Sequence, residues 1–232
     1  MKITHHLSEE LLLDYSSGAL SEAWSIAVAA HLSKCSHCRA SHAKLEEIGG
    51  SLLTDSTPEE LSDDIFINVL DRLNEVGASV GNEIRKNSGW ASSYGIPSVV
   101  ADYLAADTKK LPWKSLGLGV SQVVLETKDK SATARLLKIP AGKKVPHHSH
   151  NGRELTVIFS GGFTDETGSY GPGDIQEIHG NAEHQPWVRE GEDCICLTAT
   201  FENFNGASVT ARQMQSSPSR THGWCSMLPC IS

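Results

Sequence analysis

The sequence predicts a multidomain α + β chain: a small helical bundle braced by a metal, then an antiparallel β-barrel or sandwich. Three observations predict it. The stretch from His31 to Cys38 reads H-x3-C-x2-C. On a helix, positions i, i+4 and i+7 share one face, so an imidazole and two thiols converge. These are the donors of a tetrahedral zinc site that still needs a fourth ligand. Residues 1–76 also carry capped segments of helical period. Beyond about Pro97 the texture changes to short strand-like runs broken by Gly, Pro, Asn and Asp, which indicates many short antiparallel strands.

The helical part opens on His5-His6, then Ser8-Glu9-Glu10, an N-cap followed by acidic first-turn residues. Leu11, Leu12, Leu13 and Tyr15 form a short helix that Gly18 ends. Ser21 caps a second helix, about 22–34, with Trp24, Ile26, Ala27, Ala30 and His31 along it. Ser36 starts a third, carrying Cys38, Leu45 and Ile48, which Gly49-Gly50 is expected to stop. A connection over 51–60 leads to a fourth helix, about 60–76, whose Leu61, Ile65, Val69, Leu70 and Leu73 keep a 3.6-residue period. A bundle this small has little core, and a metal staple is effective there. Residues 77–97 are rich in Gly, Ser and Asn and read as a linker. A short helix is expected at 98–105, then strands at 120–125, 133–139, 155–159, 175–178 and 194–201. The β-domain spans 98–205. The Ser-rich segment 206–232, with Cys225 and Cys230, is left without a role.

Composition narrows the function. No apolar run approaches a membrane span, and MKITHHLSEE lacks the apolar core of a signal peptide. The expected compartment is the cytoplasm. Residues 1–85 hold 14 of the 28 acidic residues but 6 of the 20 basic ones, while 86–232 balance. An acidic N-terminal part argues against direct nucleic-acid binding and suits docking on a basic protein. Six Cys in 232 residues do not make a disulfide framework.

A second constellation lies in GKKVPHHSHNGRELTVIFSG, residues 142–161. His148 and His150 have strand spacing and share a face. Asn151-Gly152 is a tight-turn pair expected to return the chain as a hairpin, with Glu154 on the neighbouring strand. Another turn, Gly171-Pro-Gly-Asp174, precedes His184. Three imidazoles and a carboxylate suit a divalent metal: zinc first, with iron, manganese or nickel as alternatives. His147 is read as a bystander.

This segment resembles the cupin superfamily. The first cupin motif, G-x5-H-x-H-x3-E-x6-G, is met at Gly142, His148, His150, Glu154 and Gly161. The second motif is looser, with Pro172-Gly173 and His184 in place and His179 where Pro is usual. The resemblance favours His184 over His179 as the fourth ligand.

The whole chain, over roughly residues 4–200, resembles the ChrR-type zinc-binding anti-sigma factors. The likeness is carried by His5-His6, Leu12-Leu13-x-Tyr15-x-x-Gly18, the H-x3-C-x2-C stretch leading into Gly49-Gly50-Ser51-Leu52, Glu154-Leu-Thr, Asp165-Glu-Thr, Gly173-Asp174-Ile and Asp193-Cys-Ile-Cys-Leu. It implies zinc on His6, His31, Cys35 and Cys38, with His5 the neighbouring ambiguity and His37 and His42 on the helix surface. It implies an extracytoplasmic-function sigma factor as partner, clamped by the helical domain and freed when the cupin senses singlet oxygen or a related oxidant. No nucleic acid or membrane is expected as partner, while a small molecule or oxidant can occupy the cupin. A metal-dependent cupin enzyme of dioxygenase or isomerase type is the alternative. The helical zinc domain favours the regulator, since a metabolic cupin has no need of it. Cys194 and Cys196 read either as a redox pair or as two small residues in a barrel wall.

Overall fold

The structure is a computed structural model, and its description covers residues 2–62, 64–77, 91, 93–104, 111–149, 152–180 and 183–201. Most of the expected linker lies outside these residues, as do His150 and the segment 206–232 with Cys225 and Cys230.

Among the described residues the helices are α1 (Glu9–Ser16), α2 (Glu22–Leu32), α3 (Ser36–Thr54), α4 (Ile65–Gly77) and α5 (Ser98–Ala101). In α1 the Ser8 hydroxyl accepts from the Leu11 N–H, and Glu9 and Glu10 face the positive end of the helix dipole. α3 runs past Gly49-Gly50 rather than stopping there. A glycine ends a helix by turning left-handed, and neither does so. α4 starts five residues later than expected, because Ser62 and Asp64 take cap positions: Ile65 N–H donates to the Ser62 carbonyl and Asn68 N–H to that of Asp64.

Eleven strands follow among the described residues: β1 (Lys114–Gly117), β2 (Val120–Val124), β3 (Ala132–Ile139), β4 (His148–Ser149), β5 (Glu154–Ser160), β6 (Phe163–Asp165), β7 (Gly168–Tyr170), β8 (Ile175–Ile178), β9 (Glu183–His184), β10 (Trp187–Val188) and β11 (Cys194–Phe201). They form a six-stranded antiparallel sheet, β1-β2-β3-β11-β5-β8, opposed by β10-β6-β7 and by the pair β4-β9. The expected hairpin is not formed. β4 pairs with β9, placing His148 opposite His184, and β5 lies between β11 and β8. The apolar face of β5 decides this, since Leu155 and Val157 are buried only in the large sheet, where Val157 and Leu197 stand opposite one another.

The large sheet is covered on both faces. On one, Ile158, Cys194 and Cys196 join Val120, Ile139, Phe163 and Tyr170 inside the sandwich. On the other, Leu136, Leu155, Val157, Leu197 and Ala199 pack with residues of α2. α2 is therefore buried nearly all round, with Ala23, Ala27 and Ala30 permitting close approach to the strands. Glu22 fastens its start: its carboxylate accepts from the backbone N–H groups of Lys128 (2.5 Å) and Asp129 (3.2 Å) and from the Tyr103 hydroxyl (3.0 Å). Trp24 stacks on Phe201 with ring centroids 4.9 Å apart, beneath the Arg153 guanidinium. Trp24→Ala should cost about 3–5 kcal/mol, read as a lowered midpoint in denaturant unfolding. An unchanged midpoint would mean that α2 does not share the sheet's core.

Candidate metal centres

The first centre forms where α2 turns into α3. His31 sits in the last turn of α2, Cys35 is the N-cap of α3 and Cys38 lies in its first turn. The three donors thus come from a helix–turn–helix corner rather than from one continuous helix. The Cys35 N–H still bonds to the His31 carbonyl at 2.9 Å, so the corner keeps the helical i, i+4 relation across the turn. Cys38 N–H donates to Cys35 Sγ at 3.4 Å, the position in which a helix N-terminus favours a thiolate.

His6 arrives from the N-terminal segment. Its Nδ1 lies 3.3 Å from Cys35 Sγ and 3.7 Å from Cys38 Sγ, while His31 Nε2 lies 3.3 Å from Cys38 Sγ. All four donor atoms fall within 4.8 Å of one another. Tetrahedral N and S ligation needs donor–donor edges of about 3.5 Å, so the residues fit a metal ion and the cluster can hold one. His5 points elsewhere, its ring against Tyr170 with centroids 4.3 Å apart. His37 is exposed and His42 contacts Glu46 on the surface of α3.

Burial sets the protonation of these donors ahead of metal binding. It pushes His31 down to about 4, leaving a neutral imidazole ready to ligate. It pushes the Cys38 thiol up to about 11, so loading a metal expels that proton and affinity rises with pH. The second nitrogen of His31 is held from outside: Nδ1 donates to the Gly173 carbonyl at 2.9 Å, which directs Nε2 at the cluster.

The second centre lies inside the sandwich. Glu154, on β5, is 6% exposed, and burial raises its carboxyl to about 7 against the opposing charge of nearby His184. His184, on β9, donates from Nδ1 to Asp165 Oδ2 at 3.0 Å, which leaves Nε2 for a metal. Burial works against ionisation of Asp165, but bonds from His184, Thr167 and Gln176 outweigh it and hold that carboxyl below the usual range. His148 is placed by its backbone opposite His184, and His150 lies outside the described residues. His179 is exposed, with Nε2 3.2 Å from Glu177 Oε1. His147 is exposed as well. Gly161, the last motif position, is required by space and conformation. It has φ +63°, and a Cβ there would sit 2.4 Å from the Asp193 carbonyl oxygen.

Cys194 and Cys196 are buried in the same inner cluster. Contact with Cys194, then burial, holds the Cys196 thiol well above its ordinary value, which suppresses the reactive thiolate. Asp165, Gln176, Gly173 and Asp174 are site residues to which residue-type patterns assign no role. Asp165, Gly173 and Asp174 stand in runs that carry the family likeness, and Gly173 and Asp174 also belong to the turn expected at 171–174; Gln176 lies in an expected strand and carries no further signal.

Known proteins match this arrangement. Residues 102–202 match the family model of the ChrR cupin-like domain. The chain is 41% identical over 201 residues to the anti-sigma-E factor ChrR of Cereibacter sphaeroides, covering 86% of this chain and 91% of that relative. It superposes with a TM-score of 0.68 on a crystal structure of Rhodobacter sphaeroides SigE in complex with the anti-sigma ChrR, at 41% identity, over 86% of this chain and 99% of that one. Both matches carry the name of an anti-sigma protein. The chain belongs to the ChrR family of anti-sigma factors.

Proposed function

We propose that this protein sequesters an extracytoplasmic-function sigma factor in the cytoplasm and releases it on an oxidative signal, singlet oxygen or a related oxidant. The observation that carries the proposal is the likeness, along 86% of the chain, to a ChrR seen bound to SigE. Residues 1–76 are the gripping domain, 98–205 the sensing cupin, and 77–97 the link between them. Zinc is the metal for His6, His31, Cys35 and Cys38, since two thiols and two imidazoles at tetrahedral spacing suit it best. A divalent metal, zinc first, is assigned to His148, His150, Glu154 and His184.

The surface supports a grip. α4 exposes Phe66 (69%), Ile67, Val69 and Leu73 (61%), and the end of α3 exposes Ile48, Leu52 and Leu53. Monomeric proteins seldom leave so many large apolar residues uncovered on neighbouring stretches. The acidic charge of the same part complements the basic surface of a DNA-binding partner.

The sensing role is tested in the purified complex. Exposure to singlet oxygen from a photosensitiser should dissociate the wild-type complex. Glu154→Ala and His184→Ala should bind the sigma factor as the wild type does and fail to release it. Normal release by both variants would exclude the cupin metal from sensing.

A further inference from the structure

We propose that the β7–β8 turn of the cupin, through the Gly173 carbonyl and the Asp174 carboxylate, forms the outer shell of the helical domain's metal site. Metal affinity at His6, His31, Cys35 and Cys38 then depends on the docking of the two domains. The inference rests on the reading that this cluster holds a metal.

The links between the two domains join residues distant in sequence. His31 is fully buried, and its imidazole spans the interface, with Nδ1 on the Gly173 carbonyl at 2.9 Å and Nε2 facing Cys38 Sγ at 3.3 Å. A carbonyl accepts and cannot donate, so it selects the tautomer whose Nε2 lone pair is free to ligate. Asp174, itself buried, accepts on Oδ1 from the backbone N–H groups of Thr4 (2.7 Å) and His5 (3.0 Å). These are the two residues immediately before His6, so the carboxylate sets the register in which His6 reaches the thiols. Its other oxygen accepts from Gly171 N–H at 2.9 Å, which fixes the side chain. The fit is close: Gly173 has φ +90°, and a Cβ on it would come within 2.7 Å of Ile3 Cδ1.

The same strand reaches the second centre. Two residues beyond Asp174, Gln176 donates to Asp165 Oδ2 at 2.7 Å, the oxygen that also accepts from His184. Ile178 stands opposite Glu154 in the sheet. One four-residue strand, β8, thus joins the outer shells of both metal centres. Because linkage is reciprocal, a shift of β8 that loosens the turn weakens the helical site, and loss of metal there weakens docking by the same factor.

The test is a Co2+ titration of the full chain, read at the thiolate-to-cobalt charge-transfer band. Of the two candidate centres among the described residues, that band reports the cysteine-containing one. Asp174→Ala should weaken Co2+ binding about 10–100-fold, the range for lost outer-shell partners. Asp174→Asn, which keeps the Oδ1 acceptor but sets an amide donor against Gly171 N–H, should recover part of the affinity. Thr4→Pro, which removes one donor from the other side of the interface and leaves the cupin unaltered, should weaken binding in the same direction. Wild-type affinity in both Asp174→Ala and Thr4→Pro overturns the inference. So does a loss in Asp174→Ala that Asn fails to restore and Thr4→Pro fails to reproduce. Absence of the band in the wild type overturns the metal reading itself.

Discussion

Cys35→Ala should abolish sigma-factor binding while leaving much of the helix content intact. Cys35 supplies a donor and also caps α3, so its loss opens the cluster and frees the start of the helix. Metal binding of this type is worth about 10 kcal/mol or more as folding free energy in small zinc domains, comparable with the whole net stability of a domain. The loss is local, however. α2 is held by the sheet through Trp24, Ala27 and Val28 and does not need the metal to stay helical. What loosens is the segment bearing His6 and the angle between α2 and α3. Far-UV circular dichroism should therefore fall modestly, bound zinc should drop by one equivalent, and a pull-down should recover no sigma factor. Full sigma binding by a variant shown to have lost that zinc would mean that the metal does not shape the grip.

Phe66→Asp combined with Leu73→Asp should also abolish binding, by a different route. Both side chains are more than half exposed in the free chain, so replacing them costs little stability. In a complex, buried aromatic and aliphatic anchors at an interface cost about 2 kcal/mol or more each when lost. Two such losses weaken affinity by about 1,000-fold, with a further desolvation cost for the new carboxylates where the partner surface is apolar. Thermal midpoint and zinc content should stay at wild-type values. The two experiments together separate shaping the grip from making the contact: the first loses metal and binding, the second binding alone.

The metal corner was legible because its chemistry is local. H-x3-C-x2-C names the donors and their spacing without further context. The same spacing reads equally well on one helix or across a tight corner, and Ser33-Lys34 carry no strong turn signal to distinguish them. The helical texture of α2 was legible too, but its partner was not. Its run EAWSIAVAAHL lacks a polar stripe, which is the mark of a helix covered on all sides, here by α1, α3 and the sheet. The two- and three-residue strands β4, β6, β7, β9 and β10 are too short for a period-2 pattern to register. The cupin ligand pattern shows in its motif spacing. The partners that orient those ligands, Asp165 on β6 and Gln176 on β8, are brought to His184 only by the topology. Asp174 is likewise ordinary as a turn residue. It becomes significant only because residues 4 and 5 fold back onto it.

In the proposed function a zinc-braced helical domain holds a sigma factor out of transcription. The most direct measurement is in vitro transcription by core polymerase and the cognate extracytoplasmic-function sigma factor, titrated with this protein. Zinc-loaded protein is predicted to silence transcription near one equivalent, and protein stripped by a chelator to leave it running until zinc is restored. Transcription that continues unaltered in the presence of excess zinc-loaded protein would rule out sequestration of that sigma factor.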